Sequence, residues 1–170
     1  MHSITGSWIW VGNISEKKWG ALMKKYRFGF DYYALILFVA MIAPTIFWSF
    51  VKAPDDVLRT QSVTTVLDTI ATISQVVMIA SLCVLINNSV AKPSLTPKVV
   101  LAVKCLMVYY FTWVLYYHSV VNPAIILLLT VPPCAAFLLY AIDRKNIIAV
   151  LSSVVFLVCH LIYGIINFII

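Results

Sequence analysis

Asp68, Thr72 and Gln75 are spaced so that, at about 100° per residue, one stripe of a helix would carry all three. A carboxylate, a hydroxyl and an amide on one line can hold the polar part of a small ligand, and a carboxylate supporting a histidine can do general-base chemistry. The candidate histidine is His160, in a series Asn146, Ser153, His160 and Asn167 that recurs every seventh residue, with Gly164 one turn further on. A third group is aromatic. Tyr109, Tyr110, Trp113, Tyr116 and Tyr117 crowd one side of a helix whose other side holds Lys104, Val108, Phe111, Leu115 and His118. An aromatic face of that width can wall a cavity for an apolar or a cationic ligand. Each group also has a plainer reading. Polar and small residues at heptad spacing make helix-packing seams, as do Ser74, Ser81 and Asn88, and aromatics fill cores and interfacial belts. Lys104 sits about 9 Å along its helix from Lys98, so it can snorkel to headgroups instead of meeting a substrate anion.

The elements that must position these residues follow from composition. The chain has 170 residues, 63% of them hydrophobic and 11% charged, more apolar surface than one water-soluble core can hide. It reads as an all-α polytopic integral membrane protein, a five-transmembrane-helix bundle in a cell membrane. The first span covers about Asp31 to Val51, with Pro44 freeing the carbonyl of Ala40. The second runs from Leu67 to Ile86. The third opens with Thr96 as N-cap and Pro97 and reaches Tyr117; the fourth opens with Asn122 and Pro123 and reaches Ile142. Pro132 and Pro133 interrupt the fourth at mid-depth, freeing the carbonyls of Leu128 and Leu129, an arrangement used at transporter sites and also tolerated as packing. Asp143, Arg144 and Lys145 make a charged turn before the fifth span, Asn146 to Ile170.

Charge sets the orientation. Lys17, Lys18, Lys24, Lys25, Arg27, Lys92, Lys98, Arg144 and Lys145 gather on one side of this arrangement, against Lys52 and Arg59 on the other, which predicts a cytoplasmic N-terminus and a C-terminus outside. The net charge of +6 is therefore an orientation signal and not a nucleic-acid footprint. Residues 1–14 are too short and polar for a signal peptide, so no cleavage is expected. Residues 1–30 read as a cytoplasmic segment whose helix from Ser15, with Trp19, Leu22, Met23 and Tyr26 on one face and lysines on the other, lies on anionic lipid; a solvated basic arm is the alternative. Residues 31–170 form the transmembrane domain.

No GxSxG, HExxH or phosphate-cradling glycine loop is present, and Cys83, Cys105, Cys134 and Cys159 lie in apolar runs as packing residues, so neither metal nor cofactor is expected. Asp55 and Asp56 fit the cap of a short helix through Val57, Leu58 and Arg59 better than a two-carboxylate site. The five spans, the many aromatics and the longish loop after the first span resemble the overall plan of the tryptophan-rich translocator and sensory proteins. That resemblance implies a porphyrin or sterol-like ligand, although the family's Trp- and Pro-rich loop motif is not found in Lys52 to Gln75.

The reading that joins these observations is non-enzymatic: an outward-opening intramembrane pocket that binds or transports a small, largely apolar ligand. Asp68, Thr72 and Gln75 would form one wall, His160 and Asn167 another, with Tyr109 and Trp113 beside them and Lys52 to Leu67 as the lid. The expected partners are membrane lipids and that ligand. The alternatives are an accessory subunit or homo-oligomer whose polar stripes are seams, and a lipid-modifying enzyme with His160 as base.

Overall fold

The computed structural model describes residues 25–60, 63–90 and 94–169. Five helices run antiparallel in sequence: α1 (Tyr32–Phe50), α2 (Thr65–Val84), α3 (Pro97–Tyr117), α4 (Pro123–Asp143) and α5 (Ile147–Phe168). All five are long and apolar enough to cross a membrane. Four of them start where a polar side chain meets orphan amides. Asp31 accepts from the amides of Tyr33 and Ala34, Thr96 from Val99, Asn122 from Ile125 and Asn146 from Ala149. Pro97 and Pro123 occupy the first helical position, where no amide is needed.

Two short strands were not expected. β1 (Tyr26–Phe28) pairs antiparallel with β2 (Leu85–Asn87), so Tyr26 is in a strand and not on a helical face, and the second span stops at Val84. The remainder of the interfacial helix expected from Ser15 lies outside the described residues. The strand pair fastens the start of α1 to the end of α2, helped by bonds from the Gly29 amide to Val84 O (3.0 Å) and from the Asp31 amide to Cys83 O (2.9 Å).

At this same end the charged turn folds inward. Arg144 is buried, and its Nε lies 3.2 Å from Asp31 Oδ2, while Tyr140 donates to both carboxylate oxygens at 3.0 Å. Lys145 takes a left-handed conformation (φ 49°), and its carbonyl accepts from Asn87 Nδ2 at 2.8 Å. Asn146 and Ser153, at 1% and 0% exposure, are packed inside, and Asn146 Nδ2 donates to the carbonyls of Ser81 and Leu85. The heptad seam is thus a real packing device over its first half, binding α5 to α2.

Packing is uneven around the bundle. α2 lies along α5, α5 along α4 and α4 along α3, whereas α1 is held loosely, with only Ala34 and Met41 buried. From Ala40 onward, α1 leans on α3 through hydroxyls. Tyr110 donates to Ala40 O at 2.7 Å, the carbonyl that Pro44 releases, and Tyr117 donates to Val51 O at 2.6 Å. A neighbouring helix therefore satisfies the freed oxygen. Lys104 is exposed on the outside of α3, which removes it from any buried anion site, and His118 is the exposed C-cap of that helix.

Candidate functional site

α1 and α2 are stapled together at the Asp31 end and tied to different partners at the other: α1 to α3, and the start of α2 to the end of α5. A wedge is left between them. It holds a cavity of about 460 Å³, with α4 as its back wall through Ile126, Leu129, Thr130, Pro133, Cys134 and Phe137. This size is in the range of small-molecule sites.

Six of the seven residues expected at the site line this one space: Asp68, Thr72 and Gln75 from α2, Tyr109 and Trp113 from α3, and His160 from α5. Tyr109 Oη shares a hydrogen bond with Thr45 Oγ1 (3.1 Å), and Trp113 is buried with no hydrogen-bond partner for its indole N–H. The His160 ring is stacked between Phe156 and Tyr163, with centroids 5.1 and 6.0 Å away. Stacking fixes the imidazole plane without using its nitrogens. Among the described residues the side chains of Asp68, Thr72, Gln75 and His160 make no hydrogen bond or ion pair with the protein.

Asn167 is the exception. It does not line the cavity: the penultimate residue of α5, it is level with the segment that leads into α2, and its amide is used up there. Its Oδ1 accepts from the Val63 amide, and its Nδ2 donates to Thr64 Oγ1 and Tyr163 O. Asn167 is a latch between α5 and that segment.

The connector between α1 and α2 contributes to the wall at the same end. A 3-10 turn, Val57–Arg59, places Leu58 in the cavity lining beside Trp48. Asp56 precedes that turn, yet its carboxylate caps no amide; it gathers side chains instead. Trp48 Nε1 donates to both of its oxygens (2.9 and 3.1 Å), Tyr116 Oη to Oδ1 (3.0 Å) and Arg59 Nε to Oδ2 (2.7 Å). Arg59 also donates to Trp48 O and lies over the Trp48 ring at 4.7 Å. The Leu58 amide donates in turn to Tyr116 Oη. The carboxylate is thus the knot that ties α1, the connector and α3 together.

Compared with protein-family models, curated proteins and solved structures, the chain matches none. The resemblance of overall plan noted above therefore rests on the sequence alone. What the cavity can do is read from its own chemistry. Among the described residues no group of three or more His, Cys, Asp or Glu gathers as a metal would require, and the wall contains no Lys or Arg.

Several wall residues escaped sequence reasoning. Phe156 and Tyr163 flank His160 at helical spacing, and Ile126, Leu129, Thr130, Pro133 and Phe137 share one face of α4. Gly164 faces the same back wall: a Cβ there would fall 3.2 Å from Thr130 Oγ1, so its lack of a side chain keeps α5 close to α4.

Proposed function

We propose that this protein is a multi-pass cell-membrane protein that holds a small, largely apolar ligand, for binding or transport, in the wedge between α1 and α2. The observation that carries the reading is the convergence of four unpaired polar side chains, from two helices, on one largely apolar cavity. Polar groups inside a membrane bundle cost free energy unless they are met by a partner. A ligand with an apolar body and a few polar atoms meets both parts of this wall. The accessory-subunit reading has less support, since the α5 seam it would present to a partner is occupied internally by Asn146 and Ser153. The enzyme reading lacks an ion pair between Asp68 and His160.

In this proposal the Asp56 end faces outward, following the lysine and arginine distribution, and the connector serves as the lid. Single-cysteine variants at Lys52 and Lys145 test the orientation: an impermeant maleimide added to intact cells is expected to label Lys52→Cys and not Lys145→Cys, and the opposite pattern would reverse it.

Filling the wedge tests the site. Thr72→Trp places an indole where the cavity now is. Native mass spectrometry of the purified wild type is expected to find a small molecule that the variant lacks. A wild type that carries nothing, together with a variant stabilised by the filling, is what a mere packing defect would give.

A further inference from the structure

We infer that the ligand of this cavity is a hydrophobic organic cation, a protonated amine on an aromatic or aliphatic body, with Asp68 as its counter-ion. The inference rests on the reading of the cavity as a ligand site and narrows it to a chemical class. Among the described residues Asp68 is the only acidic one in the wall, and no Lys or Arg faces it there. Arg59, the nearest guanidinium in the sequence, is committed to Asp56 and to the Trp48 ring. The carboxylate has no hydrogen-bond donor among the described residues. Its place in the first turn of α2 lets the helix dipole favour negative charge, but this supplies no donor to the oxygens.

The remainder of the wall suits a cation as well. Trp48, Tyr109, Trp113, Phe156 and Tyr163 are all in the lining, and aromatic faces attract alkylammonium groups most strongly where water is excluded. An anionic ligand would meet Asp68 with nothing to neutralise it. A neutral hydrocarbon would leave Asp68, Gln75 and His160 without a polar partner. A protonated amine donates to the carboxylate and lays its apolar body against the rings.

The test uses the full-length chain in nanodiscs and three probes of one shape: a diphenylpropyl dimethylamine, its hydrocarbon isostere with isopropyl in place of dimethylammonium, and the corresponding diphenylbutanoate. Calorimetry is expected to show the amine binding about tenfold to a hundredfold more tightly than the isostere, as a charge-assisted hydrogen bond would give, and the carboxylate binding most weakly. Asp68→Asn is expected to erase the amine's advantage while leaving the isostere's affinity unchanged. Asp68→Glu is expected to restore part of it. Equal binding of all three probes, lost together in Thr72→Trp, would overturn the cation inference and leave the pocket standing. Binding of none would overturn both. Should Asp68→Asn fail to fold, the ranking of the three probes on the wild type decides.

Discussion

Asp31→Ala is expected to destabilise the bundle by roughly 3–5 kcal/mol, the cost of breaking a buried ion pair by removing one partner. Both side chains of the pair are nearly enclosed, at 5% exposure for Asp31 and 10% for Arg144. The substitution takes the carboxylate from the Arg144 guanidinium, both acceptors from Tyr140 Oη and the cap from the amides of Tyr33 and Ala34. Losing an N-cap alone costs about 1 kcal/mol. The measurement is a denaturant titration in mixed micelles that follows helix content. Asp31→Ala combined with Arg144→Met is expected to recover much of the loss, because no unmatched charge then stays buried. A single variant within about 1 kcal/mol of wild type, with the double variant no better, would show that the pair contributes little and that the strand pairing alone holds α1 to α2.

The depth to which the fold could be read from the sequence followed the range of the signals involved. Helix starts are local: Asp31, Thr96–Pro97, Asn122–Pro123 and Asn146 each announce a cap within a few residues, and all four begin helices. The β1–β2 pairing is not local. Three residues near position 27 meet three near 86, and neither stretch is long enough to show alternation. The inward fold of Arg144 was illegible for the same reason, since its partner Asp31 is more than a hundred residues away and a DRK triplet reads first as a solvated turn. Helical phase grouped part of the cavity lining: Asp68, Thr72 and Gln75 share a stripe by arithmetic, and all three face the wedge. Phase could not tell Asn167 from His160, which share a face seven residues apart. What separates them is what each meets: His160 faces the wedge, whereas Asn167 is bonded to the Val63 amide and the Thr64 hydroxyl. The same distinction divides the seam, with Asn146 and Ser153 packed and His160 open.

Asp56→Ala is expected to loosen the connector over the cavity and to cost about 2–5 kcal/mol, because Trp48 Nε1 and Tyr116 Oη lose their acceptor in a nearly closed setting. The Asp56 side chain is fully enclosed, while Arg59 is 38% exposed, so the ion pair itself contributes only the small amount usual for a solvent-screened pair. The knot should then stay largely intact in Arg59→Ala, and Trp48→Phe should reproduce a larger share of the Asp56→Ala loss. Hydrogen exchange of the amides of residues 52–60 is the direct readout, expected to quicken in Asp56→Ala and hardly in Arg59→Ala. Acid supplies an independent check. Burial acts to raise the Asp56 pKa, but hydrogen bonds from Trp48, Arg59 and Tyr116 and the Arg59 charge outweigh it and hold the carboxyl below its ordinary value of 3.8. A carboxyl depressed in the folded state contributes stability that is full above the unfolded value and is lost as pH falls through the lower folded one. Exchange in residues 52–60 of the wild type should therefore stay slow down to about 3.8 and quicken only below it, whereas in Asp56→Asn this acid-dependent step should be missing. A wild-type connector that opens well above that pH, or an Asp56→Asn variant that keeps the same acid step, would mean that another carboxylate holds the connector.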